Sequence, residues 1–212
     1  MFFAADHGIR ALVFDLDGTL YVCERFAALI QEAAVAYLSG VRGEAPDITR
    51  SIMAAARIRM AEESGLVPTL SAVCTTLGGS VPALHACFEQ NLTPEAYLKR
   101  DERVVELLQR LGARFDLYLY TNNNRVLTAR IVQLLGIDGL FRGIFTIDDD
   151  WRGKPDESRL GEILAVIGHE PPQVLFVGDR YDVDLRLPEQ KGCPIFLSRT
   201  VEQLLQLEGL LG

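Results

Sequence analysis

Five short apolar runs, separated by longer amphipathic segments, constrain the fold of this chain more than any other feature. Each run is rich in β-branched and aromatic residues, is too short for a helix, and precedes a polar or glycine-containing turn. The runs cover residues 11–14, 117–120, 144–147, 174–177 and 195–197. Strands that alternate with helices usually form a parallel sheet that is covered on both faces. The sequence therefore predicts an α/β fold with a doubly wound, mainly parallel sheet.

Three helical segments connect the later strands. Residues 101–111 lead into the second run and stop at Gly112, and residues 125–135 follow that run and stop at Gly136. Residues 155–167 begin with a proline and two acidic residues and stop at a glycine. This polarity is favourable for a helix, because acidic residues suit its N-terminus and glycine suits its C-terminus.

One long insertion interrupts the alternation. It contains four helical patterns with glycines and prolines between them, and no convincing strand. The patterns cover residues 26–38, 48–63, 70–77 and 82–90. We expect a helical cap domain over residues 23–99 and an α/β core domain over residues 1–22 and 100–212.

Charge and composition exclude several classes of function. The net charge of −8 argues against a nucleic-acid-binding surface, and no apolar stretch approaches the roughly 20 residues that span a membrane. The N-terminus has no basic segment followed by an apolar run, so it does not indicate a signal peptide. The four cysteines lack metal-ligand spacing, which is typical of reduced thiols. We expect a cytoplasmic protein whose partner is neither nucleic acid nor membrane.

The first acidic motif, Asp15-Leu16-Asp17-Gly18, directly follows the first apolar run. Alternate residues of a strand point the same way, and the glycine allows a sharp turn, so both carboxylates can face one site. A hairpin turn with exposed acids is the alternative, but no matching partner strand follows.

Three further polar segments lie after the second, third and fourth runs. They are Thr121-Asn122, Lys154 and the stretch that contains Asp179, Asp182 and Asp184. Taken singly, each has an ordinary explanation: a helix N-cap, a surface lysine or a solvated loop. The acidic run at residues 148–150 is expected to be an exposed loop.

Together these segments predict one site. In open parallel sheets, ligands bind beyond the carboxyl ends of the strands, where the strand order reverses. A site that held Asp15, Asp17, Asp179 and Asp184 would be strongly repulsive unless a cation lay among them. Ligands that are all oxygen atoms suit Mg²⁺, which also binds substrate phosphate. The sequence therefore predicts a Mg²⁺ centre.

In this order, the motifs resemble those of the haloacid dehalogenase-like (HAD) hydrolases, in the phosphatase branch with a helical C1 cap. The first motif is Asp15-Leu16-Asp17-Gly18-Thr19-Leu20, the second Thr121, the third Lys154, and the fourth Gly178-Asp179 with Asp184. The resemblance implies a Rossmann-like core and identifies the insertion as a mobile cap.

The resemblance also implies roles. Asp15 would attack phosphorus and form an aspartyl-phosphate, and Asp17 would protonate the leaving oxygen and later activate water. Thr121 and Asn122 would bind the phosphoryl oxygens, and Lys154 would neutralise charge on Asp15 and on the phosphoryl group.

For the metal, the resemblance implies that Mg²⁺ is bound by the carboxylates of Asp15 and Asp179 and by the main-chain carbonyl of Asp17. The second acid of the fourth motif is Asp184, which has the better spacing, or Asp182.

The predicted function is Mg²⁺-dependent hydrolysis of a small phosphorylated metabolite, of the nucleotide or phosphoglycolate type. A phosphomutase shares all four motifs and stays open. A haloacid dehalogenase would not need Asp17, and a phosphonatase would need a cap lysine, which residues 23–98 lack. A non-catalytic phosphate-binding module usually loses the nucleophile or the acid, whereas this chain keeps both.

Overall fold

The computed structural model describes residues 8–211 and divides the chain into two compact units. The first unit combines the segment that ends at Cys23 with the chain from Leu98 onward, and the second is Glu24–Tyr97. These limits lie within two residues of the predicted insertion. The assignment of the two units as core and cap stays a prediction. Residues 1–7 of the predicted core lie outside the residues that the structure describes.

Five parallel strands in the described part of the first unit form one sheet. They are β1 (Ala11–Phe14), β2 (Asp116–Tyr120), β3 (Gly143–Phe145), β4 (Val174–Gly178) and β5 (Ile195–Leu197). The order is β3-β2-β1-β4-β5, and Val13 of β1 aligns with Tyr118 on one side and Phe176 on the other. The predicted doubly wound α/β fold is confirmed. The third strand ends earlier than predicted, because residues 147–149 form a 3₁₀ turn that Asp149 caps.

The second unit contains four helices at the places where the periodicity predicts them. They are α1 (Glu24–Arg42), α2 (Pro46–Ser64), α3 (Leu70–Thr76) and α4 (Val81–Asn91). The first helix continues past Gly40 and stops before Gly43, whose φ of 67° provides the left-handed turn that ends a helix. Phe26, Val35 and Leu38 of this helix are buried.

The remaining helices belong to the first unit. They are α5 (Glu102–Gly112), α6 (Arg125–Leu135), α7 (Glu157–Ile167), α8 (Arg186–Gln190), α9 (Val201–Leu204) and α10 (Leu207–Leu210). Helix α7 begins two residues later than predicted, because the side chain of Asp156 caps it by accepting from the Arg159 N–H at 2.7 Å. The buried face of α7 packs into one core cluster with the side chains of β1, β2 and β4.

The sheet order places the candidate site. The chain leaves β1 for β2 and β3 on one side, then returns to β4 and β5 on the other side. The carboxyl ends of β1, β2 and β4 therefore meet where the strand order reverses, which is the usual ligand position in such sheets. Within residues 8–211, no helix is long and apolar enough to cross a membrane.

Candidate active site

Asp15 and Asp17 both follow β1, but different partners hold them. Asp15 extends the sheet, because its N–H donates to the Val177 carbonyl at 2.9 Å, and its side chain is buried. The Thr19 hydroxyl donates to Asp15 Oδ2 at 3.2 Å. Asp17 accepts from the Tyr21 hydroxyl at Oδ1 and from Asn123 Nδ2 at Oδ2, the latter at 2.6 Å.

Lys154 lies buried between two carboxylates. Its Nζ is 2.5 Å from Asp15 Oδ1 and 2.6 Å from Asp184 Oδ1, and it donates to the Tyr120 carbonyl at 2.9 Å. The lysine thus joins the ends of β1 and β2 to the segment after β4. It provides the positive charge that the first and fourth motifs need in order to approach each other.

Asp15, Asp179 and Asp184 form a compact cluster in which one carboxylate oxygen from each lies within 4.8 Å of the others. Asp182 is outside this cluster. Two glycines permit the close approach. A Cβ on Gly18, whose φ is 89°, would lie 2.6 Å from Asp179 Oδ2, and one on Gly178 would lie 2.5 Å from the Asp184 Cβ.

The cluster holds more negative charge than Lys154 neutralises. Burial raises the pKa of Asp15 to about 7, with Asp184 and Asp179 adding to the rise and Lys154 opposing it. Burial and the charge of Asp184 raise the pKa of Asp179 to about 6. Burial alone would lower the pKa of Lys154, but the charges of Asp15 and Asp184 outweigh it and raise that pKa. A further cation close to Asp15 and Asp179 would favour their ionised forms and offset the rise in pKa.

The residues present fit a hard divalent cation. Asp179 Oδ1 is buried and accepts no hydrogen bond within residues 8–211, and the Arg180 guanidinium approaches it only to 3.7 Å. A buried carboxylate oxygen without a donor is costly unless a cation binds it. Three carboxylates match the oxygen ligands of Mg²⁺. The Asp17 carboxylate lies outside the cluster, and binding of the metal by the Asp17 main-chain carbonyl stays a prediction from the family resemblance.

The turn after β2 supports the site through its side chains. Asn122 holds the main chain of Lys154: its Oδ1 accepts from the Lys154 N–H at 2.7 Å, and its Nδ2 donates to the Lys154 carbonyl at 3.2 Å. Thr121 is fully buried, and its hydroxyl accepts from the Asn123 N–H at 3.1 Å. The N-cap of α6 is Asn124, not Thr121 or Asn122, because the helix begins only at Arg125.

The acidic run before Lys154 is partly exposed, as the sequence suggests, but its side chains accept hydrogen bonds from the main chain and from arginines. Asp149 accepts from the Thr146 N–H at 3.1 Å and from Arg159 Nη2 at 2.6 Å, and it also pairs with Arg125. Asp150 accepts from the main chain and the guanidinium of Arg152. These contacts tie the loop that carries Lys154 to α6 and α7. We call Arg125, Asp149 and Arg159 the loop network.

Sequence reasoning missed Tyr21, Asn123 and the loop network. Asn123 lies two residues after Thr121 in a polar turn, so its position alone could have marked it as a candidate. Tyr21 and Arg159 carry no local signal, because their partners are identified only by the folded arrangement of the turns.

Comparison with known proteins agrees with this arrangement. A family model described as haloacid dehalogenase-like hydrolase matches residues 9–189. Over 193 residues the chain is 28% identical to a phosphoglycolate phosphatase from Pectobacterium atrosepticum, which covers 87% of this chain and 78% of that protein. A phosphoglycolate phosphatase from Aquifex aeolicus is 27% identical over 186 residues, covering 87% of this chain and 82% of that protein.

Solved structures show the same fold at lower identity. A HAD phosphatase from Thermococcus onnurineus has a TM-score of 0.62 at 19% identity, and it covers 96% of this chain and 98% of that chain. A 2-haloacid dehalogenase from Pseudomonas syringae pv. tomato has a TM-score of 0.61 at 20% identity with the same coverage. Because the family model spans most of the sequence and all four motifs, this chain belongs to the haloacid dehalogenase-like hydrolases.

Proposed function

We propose that this protein is a Mg²⁺-dependent phosphatase that hydrolyses small phosphomonoesters through an aspartyl-phosphate on Asp15. One observation carries the proposal: the Asp15 carboxylate is buried against Lys154 and two further acids, while a second carboxylate, Asp17, is held separately beside it. A nucleophile and an acid/base group with different surroundings are what a two-step phosphoryl transfer requires.

In the first step, an Asp15 carboxylate oxygen attacks phosphorus and the bond from phosphorus to the leaving oxygen breaks. Asp17 transfers its proton to that oxygen, so the leaving group departs as a neutral alcohol. Burial raises the pKa of Asp17, despite the opposing hydrogen bond from Tyr21, which favours a carboxyl group able to carry this proton.

In the second step, water attacks phosphorus while Asp17 accepts a proton from it. The bond between phosphorus and the Asp15 oxygen breaks, which releases inorganic phosphate and restores the Asp15 carboxylate. The Asp17 carboxyl group thus serves first as acid and then as base, and it returns to its starting protonation state in each turnover.

Positive charge and donors around the phosphoryl oxygens stabilise both steps. Lys154 Nζ, already in contact with Asp15, would shift its contact toward the transferred group, and the Thr121 hydroxyl would donate to a phosphoryl oxygen. The Asn122 side chain already hydrogen-bonds the main chain of Lys154, so the predicted contact of Asn122 with phosphate would come from its main-chain N–H. Asp15, Asp179, Asp184 and the Asp17 carbonyl would hold Mg²⁺, which supplies charge neutralisation for the phosphoryl oxygens.

For the substrate, we propose a small phosphorylated acid of the phosphoglycolate type. The support is the similarity to two proteins named phosphoglycolate phosphatase, each aligned over most of its length. The presence of Asp17 favours phosphate esters over haloacids, because only an alcohol leaving group needs a proton.

The test is phosphate release from a panel that contains phosphoglycolate, nucleoside monophosphates and hexose phosphates, each with Mg²⁺ and with EDTA. We expect Mg²⁺-dependent release, fastest from phosphoglycolate, and none from Asp15→Asn. Asp47→Asn, the same chemical change at an exposed position of α2, is the matched control and should keep full activity.

Other outcomes would contradict the proposal in distinct ways. Conversion of a hexose phosphate into its isomer without phosphate release would indicate a mutase. Release of halide from a haloacid, with no phosphate from any ester, would indicate a dehalogenase.

A further inference from the structure

Both oxygens of the Asp17 carboxylate accept hydrogen bonds from side chains that sequence reasoning did not assign. Tyr21 donates to Oδ1 from four residues further along the chain, and Asn123 Nδ2 donates to Oδ2 at 2.6 Å from the turn after β2. The two donors come from separate segments, so they fix the plane of the carboxylate as well as its position.

The main chain of each donor residue makes a hydrogen bond that fixes its position. The Gly18 N–H donates to the Tyr21 carbonyl at 2.9 Å, which closes the turn that carries the tyrosine. The Asn123 N–H donates to the Thr121 hydroxyl at 3.1 Å, which fixes the asparagine relative to the second motif. Side chains on constrained segments position a reacting group more accurately than side chains on free loops.

The two donors differ in what they can do when Asp17 carries a proton. A tyrosine hydroxyl can donate or accept, so it tolerates either a bare or a protonated oxygen. The amide nitrogen of Asn123 can only donate, so the oxygen that faces it must remain an acceptor. The proton exchanged with the leaving group and with water is therefore compatible with Oδ1 and not with Oδ2.

From this geometry we propose that Tyr21 and Asn123 are positioning residues that orient Asp17 so that Oδ1 is the oxygen that gives and takes the proton. This inference rests on the proposed function, since it specifies how the acid/base group of that reaction is presented. It assigns the two residues a role in both proton transfers, at departure of the leaving group and at attack by water, and none in the attack by Asp15.

The experiment compares two substrates that differ in their need for a proton. One is the alkyl phosphate that is hydrolysed fastest in the panel described above, and the other is 4-nitrophenyl phosphate, whose leaving group departs unprotonated at neutral pH. The quantity measured is kcat/KM, because it covers only the steps through departure of the leaving group. We expect Tyr21→Phe and Asn123→Ala each to lower kcat/KM for the alkyl phosphate about 10- to 100-fold, which is part of the roughly 100- to 10,000-fold that general acid–base catalysis contributes.

For 4-nitrophenyl phosphate, the same variants should retain kcat/KM within about threefold, since no proton transfer is needed. Tyr118→Phe is the matched control: it removes a hydroxyl from a buried tyrosine of β2 that stacks on Phe145, away from Asp17. It should change neither substrate's kcat/KM. Melting temperatures of all variants show whether each protein is folded.

Three outcomes would overturn the inference. Equal losses on both substrates would assign Tyr21 and Asn123 a structural role only. Unchanged kcat/KM for the alkyl phosphate would show that Asp17 needs neither donor. If the unaltered protein released phosphate from neither ester, the proposed function would fail, and this inference with it.

Discussion

Two ion pairs of nearly equal length show how differently the two units use charge. In the first unit, Lys154 lies 2.6 Å from Asp184, and both side chains are only 3% exposed. In the helical unit, Arg50 lies 2.7 Å from Glu32, with side chains 52% and 57% exposed. The two pairs therefore differ in burial and hardly at all in length.

The difference shows that the first unit buries charged groups, which is costly for stability, at its candidate active site. Water screens the exposed pair, so it contributes little to the stability of the fold. The buried pair is desolvated, and losing one partner leaves an uncompensated charge in the interior. Described residues of the helical unit bury few polar groups, namely Ser39, Thr49 and His85. The edge of the sheet buries two acids, Asp15 and Asp184, together with Lys154.

The largest expected effect is on turnover at this edge. Asp15→Asn removes the nucleophile but keeps the shape of the side chain, so kcat should fall by at least about a thousandfold. Because the neutral amide also relieves repulsion from Asp179 and Asp184, the variant should remain folded. Phosphate release and a thermal melt check both statements, and substantial residual turnover would refute the assignment of the nucleophile.

The second prediction compares the two ion pairs directly. Lys154→Met should lower the free energy of unfolding by about 3–5 kcal/mol, because Asp15 and Asp184 lose their buried partner. Arg50→Met is the matched change in the helical unit and should leave the free energy of unfolding nearly unchanged, because water screens the pair with Glu32. Urea unfolding measures both. Equal losses would mean that burial does not determine how much each pair contributes to the free energy of unfolding.

The third prediction concerns Mg²⁺ and needs no substrate. A cation that binds only the folded protein stabilises it by about 2.7 kcal/mol at one hundred times its dissociation constant. Saturating Mg²⁺ should therefore raise the melting temperature of the unaltered protein and of Asp47→Asn. Asp179→Asn should lose this response, because it replaces the carboxylate whose Oδ1 lacks a donor. A rise that persists in Asp179→Asn would place the cation elsewhere.

The last prediction concerns the loop network, whose ion pair is intermediate in burial between the two pairs compared above. The side chains of Arg159 and Asp149 are 12% and 16% exposed. Arg159→Ala should lower the free energy of unfolding by about 1.5–3 kcal/mol, the range for hydrogen bonds that involve charged groups. Urea unfolding would measure it, and a loss as large as that of Lys154→Met would break the proposed link between burial and cost.

Local sequence patterns predicted much of the fold. The runs at residues 11–14 and 195–197 are strands with the predicted limits, and α6 begins and ends where expected. These elements depend on the period of their apolar residues and on neighbouring glycines, which are properties of adjacent residues. Errors occurred at ends decided by capping side chains, such as those of Asp149 and Asp156.

The sequence by itself determined that acids, a lysine and a threonine follow the strands of a parallel sheet, since strand period and turn residues are local. Only the tertiary structure decided which atoms meet. Asn123 reaches Asp17 across 106 positions, and Asn122 holds Lys154 across 32. Such contacts produce no periodic pattern in the sequence, because they arise from the order of the strands and the path of each turn. The position of Asp15 after a strand was therefore predictable from its motif, whereas the side chains that contact Asp17 and Lys154 became visible only once the chain was folded.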